Sequence, residues 1–156
     1  MTGVTPAWML TTQPYVLGIV GSEASKFTAE TEAWARQLIR SLLMRPGITA
    51  MASGHCHLGG IDIWAEEIAA ELKLTQFIFP PKDLTWAGGY KPRNLQIVNA
   101  SHEVHCITIR DYPPDYDGMR FKYCYHCQTS DHVKSGGCWT ALQAKRKGKI
   151  AQWHIV

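Results

Sequence analysis

Ser53-Gly54-His55-Cys56-His57-Leu58-Gly59-Gly60-Ile61-Asp62 follows a short apolar run and opens a segment with helical apolar spacing. The same plan recurs at Ser135-Gly136-Gly137-Cys138-Trp139-Thr140, and in shorter form at Gly21-Ser22-Glu23 after the apolar residues 15–20. Strand, glycine turn and helix in succession suit an anion. Glycine lets the backbone come close, and the N–H groups left free at a helix start point at the ligand. The three turns therefore point to a nucleotide or a nucleotide-derived molecule.

Working outward from these turns, strands and helices alternate along the chain. Residues 15–20 and 48–52 read as strands. Between them Ala35, Leu38, Ile39, Leu42 and Leu43 mark one face of a helix over 28–44, with Glu30 and Glu32 in its first turn and Pro46-Gly47 at its end. Ile61, Ala65, Ile68, Ala69 and Leu72 mark a second helix, and residues 76–79 a third strand stopped by Pro80-Pro81. Residues 83–92 read as loop, 93–100 as helix and 104–109 as strand. After a break at 110–135, the last glycine turn starts a helix to about residue 147, and 150–156 forms the final strand. Such alternation predicts an α/β fold of three layers, α/β/α, with a mainly parallel five-stranded sheet. Right-handed crossovers place helices on both of its faces. Ligands in such folds bind beyond the carboxyl ends of the strands, the edge that carries all three turns. Residues 1–14 read as an N-terminal arm, and 15–156 as a single domain interrupted by the insertion near 110–135.

The chain has 156 residues, 46% of them hydrophobic, and a formal net charge of +3. That is one domain with a real core, neither disordered nor built as a basic surface for duplex DNA. Lys145, Arg146, Lys147 and Lys149 read as a solvated helix face and its cationic end. No stretch approaches the roughly 20 apolar residues of a membrane helix, and no basic, then apolar, leader opens the sequence. Five unevenly spaced cysteines fit a reducing cytoplasm.

Taken in order, Gly21-Ser22-Glu23, Ser53-Gly54 with Gly59-Gly60-Ile61-Asp62-Ile63-Trp64-Ala65, Arg93-Asn94 and Gly136-Gly137-Cys138-Trp139-Thr140 resemble the SLOG superfamily of Rossmann-like proteins. That superfamily is named for DNA-processing proteins and cytokinin-activating phosphoribohydrolases, and the resemblance is strongest to its small YspA-like branch. It implies a five-stranded Rossmann-like domain with a nucleotide pocket at the strand ends, and self-association into a homo-oligomer. Gly21 and Ser22 would meet the ligand from the first turn, Gly59, Gly60 and Asp62 from the second, and Gly136, Gly137 and Thr140 from the last. The phosphoribohydrolases have Pro-Gly-Gly-x-Gly-Thr-x-x-Glu with a glutamate that contributes to catalysis. Here Gln143 stands near that position, a departure from the hydrolases' pattern.

Individual side chains carry two readings each. Ser22, Ser53 and Thr140 suit phosphate, or equally helix capping; Gly54 belongs to the same turn. Asp62 suits a ribose hydroxyl or the dipole of its helix. Arg93 suits bidentate phosphate pairing beside Asn94, or a surface salt bridge. Glu66, Glu67 and Asp62 are the candidates for general acid–base work, with solvation the alternative for the two glutamates. His55 and His57 suit ligand contact, proton transfer or an ordinary loop. Trp86 and Tyr90 suit stacking on a base, and Cys106 the core.

A second chemical cluster is Cys124, Cys127, His132 and Cys138, spaced C-x2-C-x4-H-x5-C. Thiolates two residues apart bite one tetrahedral metal, and a later His and Cys complete a closed, structural zinc site. His126 is the alternative ligand, and reduced thiols the alternative state. Three functions follow: a binder of a nucleotide-derived ligand that senses it or, in a phage, sequesters it; a nucleotide N-glycosidase; and a single-strand nucleic-acid binder.

Overall fold

The computed structural model describes residues 13–156, so most of the expected arm, residues 1–12, lies outside the described residues. Five strands form one sheet: β1 Val16–Gly21, β2 Ala50–Ser53, β3 Thr75–Ile78, β4 Glu103–Thr108 and β5 Ile150–Ile155. Their order is β3-β2-β1-β4-β5, and every pairing is parallel. Leu17 lies beside Met51 on one side and Glu103 on the other. The central strand is apolar on both faces because both are covered, as parallel sheets require.

Helices α1 Ala29–Leu43 and α2 Ile61–Glu71 cover one face, where Leu17, Ile19, Ile39, Met51, Ile61 and Ile68 pack together. Helices α3 Lys91–Ala100 and α4 Gly136–Arg146 cover the other, closing over Val16, Val20, Ile97, Val98, Val104 and Ala141. Alternation along β1 sends Leu17 and Ile19 to the first core and Val16 and Val20 to the second. The start of α1 is fixed by Thr28, whose hydroxyl accepts from the Thr31 amide while the Thr31 hydroxyl accepts from the Thr28 amide.

The sheet is wholly parallel, a stricter form of the expected mainly parallel one. The stretch 83–92, expected as loop, is partly helical. A wide turn over Trp86–Tyr90 leads without a break into α3. Pro92 is tolerated there because it sits in the first turn, where its missing N–H has no helical partner. Residues 110–135 have little regular structure beyond an isolated bridge between Cys124 and Thr129.

The chain leaves β1 for β2 on one side and later enters β4 on the other. The carboxyl ends of β1 and β4 therefore flank the crevice where the strand order reverses, the usual ligand position in open parallel sheets.

Candidate functional site

A cleft of about 640 Å³ opens at that crevice, within the range of small-molecule sites. Its floor is Val20, Gly21 and Ser22 from the end of β1, and one wall is the start of α4, Gly136, Gly137, Trp139 and Thr140. Asp62, Arg93 and Asn94 also line it. Close backbone approach holds the floor to the wall: a Cβ on Gly137 would stand 2.7 Å from the Gly21 nitrogen. Any side chain there would push α4 off the turn.

The start of α4 is unusual in its capping. Ser135 occupies the N-cap position, but its hydroxyl makes no cap hydrogen bond. It lies 3.6 Å from the Cys138 sulfur and 3.8 Å from that of Cys106. The first-turn amides of a helix and its dipole thus face the cleft without a side-chain partner at the cap, favouring an anion there. Ser22 caps no helix either. Its hydroxyl is 3.0 Å from Thr108 Oγ1, which itself donates to the Val133 carbonyl. Thr140 Oγ1 donates back to the Gly136 carbonyl at 3.4 Å.

Four of the expected ligand residues stand behind the cleft instead of in it. Gly60 has φ +85° and presses on the backbone of the first turn, where the Ile61 amide donates to the Ser22 carbonyl. Gly59 belongs to the same brace. Ser53 is fully buried, and the Gly54 carbonyl accepts from Arg93 Nη1 at 2.5 Å. Arg93 is no surface residue: it is buried, donates from Nε to Asn94 Oδ1 at 2.7 Å and lies over the Tyr90 ring.

Asp62 is the one acidic catalytic candidate in the cleft lining. Burial pushes its carboxyl up to about 6, against the opposing pull of Arg93, 4.0 Å away, and of the Cys56 amide that donates to it. Glu66 contacts His55 Nδ1 at 2.7 Å, outside the cleft. Glu67 pairs with Arg36 at 2.8 Å across α1 and α2 and is not among the lining residues. Both have structural partners, and His55 and His57 are exposed and outside the lining.

Sequence reasoning missed two cations, Lys26 and Lys134, which line the cleft with Glu23 as the near acid. Burial draws the Lys26 ammonium below its ordinary pKa, with Lys134 adding to the effect and Glu23 opposing it. An anion beside Lys26 would relieve that. The aromatic complement is Trp86, Tyr90, Trp139 and Tyr125, with Trp86 and Trp139 edge to face at 4.9 Å. The basic run near the C-terminus has a different job. Lys149 Nζ donates to the Val98 and Ser101 carbonyls at 2.7 Å, and Lys147 Nζ to Asn99 Oδ1, so they tie down the end of α3.

Beside the cleft, Cys124, Cys127, His132 and Cys138 place their ligand atoms within 4.8 Å of one another. Tetrahedral zinc with ordinary bond lengths would put sulfur and imidazole nitrogen about 3.6 Å apart. Cys138 Sγ and His132 Nε2 are 3.6 Å apart. Asp131 Oδ1 lies 2.6 Å from His132 Nδ1, which directs Nε2 to the cluster, the carboxylate–histidine arrangement of metal sites. The Cys138 thiol is held down to about 4, chiefly by the hydrogen bond from the Cys106 thiol, with Ser135 assisting and burial opposing. Burial pushes the Cys124 and Cys127 thiols up. The four residues therefore form a group able to hold a metal ion. His126 stands outside it and lines the cleft instead. Among the described residues no helix is long and apolar enough to cross a membrane.

This is a Rossmann-like α/β protein with a cleft at the strand-order reversal and a cysteine–histidine cluster against its wall. Among solved structures, the chain is similar to the molybdenum cofactor carrier protein MCP from Chlamydomonas reinhardtii, with a TM-score of 0.54 over 92% of this chain and 79% of that one. At 10% sequence identity the likeness is one of fold. No family model matches the chain, and no curated protein matches it.

Proposed function

We propose that the cleft binds a nucleotide or a nucleotide-derived ligand, as a sensor or a sequestering protein, and that the chain is a SLOG-type protein of the YspA-like kind. The observation that carries this is one juxtaposition. The Gly21-Ser22 floor, the Gly136-Gly137 helix start, the cations Lys26 and Lys134, and a group of aromatic rings line the same cleft. The phosphate would sit on the helix start between the two lysines, and the base against Trp86, Tyr90 or Trp139. Asp62 and Asn94 are the groups suited to sugar hydroxyls. The structural neighbour's description as a cofactor carrier supports a small-molecule role without identifying the molecule. The cysteine–histidine cluster would hold zinc as a structural ion, since four protein ligands leave no open position for water.

One observation favours the N-glycosidase as a second reading. Asp62 is a buried carboxyl in the cleft whose pKa of about 6 suits a general acid near neutral pH. Incubating the pure protein with nucleoside monophosphates and NAD-like dinucleotides separates the two. Binding without turnover is the expected result, and turnover abolished by Asp62→Asn makes the protein an enzyme. Native mass spectrometry of protein purified from cells reads bound metal, copurified nucleotide and the expected homo-oligomer together. Of the basic run, Lys147 and Lys149 are engaged with α3, which leaves the exposed Lys145 and Arg146, too small a patch to favour nucleic-acid binding.

A further inference from the structure

We infer that the cysteine–histidine insertion supplies the edge contacts to the ligand's ring, beside the stacking surfaces of Trp86, Tyr90 and Trp139, and that a metal ion is what holds it there. The inference rests on the proposed cleft and adds a second layer to it. Tyr125 and His126 lie between the paired cysteines Cys124 and Cys127, and both line the cleft. Two residues between two ligands of one metal have almost no freedom: the ion fixes the backbone on each side of them. The turn closes with the Gln128 amide donating to the Cys124 carbonyl at 2.7 Å, with Gln128 at φ +56°. Tyr125 and His126 pack at 4.4 Å between ring centroids.

The same insertion sets a cation at the cleft. Lys134 Nζ lies 4.6 Å from the centre of the Phe121 ring and 4.8 Å from that of Tyr125, and donates to the Tyr125 hydroxyl at 3.1 Å. The position of Lys134 therefore depends on the hairpin, although the lysine belongs to the segment that enters α4. Across the cluster, Cys138 is the third residue of α4, directly after the two glycines of the cleft wall. One ion would thus join the hairpin that carries Tyr125 and His126 to the helix start that faces the anion.

Between the insertion and the sheet, the Val133 amide donates to the Ile109 carbonyl at 2.8 Å and Thr108 to the Val133 carbonyl, while Cys124 is buried with Cys138 in the second core. Within the insertion, Arg120 donates to the Pro113, Pro114 and Tyr116 carbonyls. The turn that carries Tyr125 and His126 is tied by the Cys124–Thr129 bridge and flanked by two thiols of the cluster, so an ion on those thiols would set its position. His126 is half-buried, and a neutral imidazole offers one donor and one acceptor, the pattern that distinguishes ring edges. Metal and ligand should accordingly bind with positive coupling, although no metal ligand touches the ligand.

The test uses the full chain loaded with one zinc per molecule and freed of excess metal, the same protein after chelation, and that protein reloaded. Tryptophan fluorescence follows binding of two probes, AMP and inorganic phosphate. Chelation should weaken both probes at least tenfold, and reloading should restore them. His126→Ala, which keeps all four ligands, should retain its zinc, weaken AMP at least tenfold and leave phosphate within twofold. Because chelation can unfold the chain, this variant gives an independent answer. AMP affinity within twofold of the parent in zinc-loaded His126→Ala overturns the inference, as does unchanged binding after chelation. Phosphate binding that depends on metal, with no AMP binding at all, removes the nucleotide and ring recognition but leaves the coupling. Binding of neither probe overturns both.

Discussion

Replacing Asp62 by asparagine should make the protein more stable at alkaline pH while weakening its ligand site. In the unfolded chain the carboxyl titrates at its ordinary 3.8, and in the folded protein at about 6. The folded state therefore holds the proton over the interval between those values. The favourable contribution is complete below the unfolded pKa and is lost as pH rises through the folded one. Two pKa units correspond to about 3 kcal/mol, so above pH 7 the buried carboxylate destabilises the fold by up to that amount. An asparagine oxygen still accepts from the Cys56 amide but carries no charge. Asp62→Asn should thus gain about 2–3 kcal/mol at pH 8, or about 5–10 °C in Tm, about half of that at pH 5, and close to nothing only below the unfolded pKa. Paired urea titrations of parent and variant at pH 5 and pH 8 measure it. Differences between the two chains remove the pH dependence of the thiols they share. A variant less stable than the parent at pH 8, or a difference that ignores pH, would refute the reasoning. A gain in stability bought with weaker AMP binding is the pattern of a strained functional group.

Glu103 should behave in the opposite sense. It is buried on β4, accepts from Arg45, Tyr15 and His105, and is held down to about 2, chiefly by Arg45. Its contribution, about 2–3 kcal/mol, is present above the ordinary glutamate pKa and lost as pH falls through about 2. Glu103→Gln should show that loss in denaturant titrations at pH 7 and a flatter acid limb below pH 4.5. Gly137→Ala should displace α4 from the Gly21 turn, destabilise the fold by about 1–3 kcal/mol and weaken phosphate binding at least tenfold by calorimetry. Lys149→Met should lose about 1–2 kcal/mol in thermal melts, because two carbonyls of the α3 end lose their donor, and leave AMP affinity unchanged.

The frame of the fold was legible because its signals are local. Apolar runs end in glycine turns, and the faces of α1 and α2 are spaced as helix faces are. The cysteine–histidine cluster was legible for the same reason, since its ligands fall within fifteen consecutive residues. The glycine pairs were harder to divide. Gly136-Gly137 faces the cleft while Gly59-Gly60 braces the Gly21 turn from behind, and a doubled glycine serves either purpose. Lys26 and Lys134 left no mark because a single lysine in a turn has no periodicity. Nothing local pairs Glu103 with Arg45, 58 residues away, or with Tyr15, 88 away. The Gly88-Gly89 pair hid the helical turn before α3, where Thr85 caps the Gly88 amide and Gly89 packs tightly on the backbone of Asp83.

The most direct test of a nucleotide cleft at the strand-order reversal is an amide NMR titration of the zinc-loaded protein with AMP, GMP, CMP and UMP. At least one should saturably shift the amides of Gly21, Ser22, Gly136 and Gly137 together with the Trp139 indole. Titrations in which none of the four moves those signals, or in which the shifts map to the α1–α2 face, would contradict it.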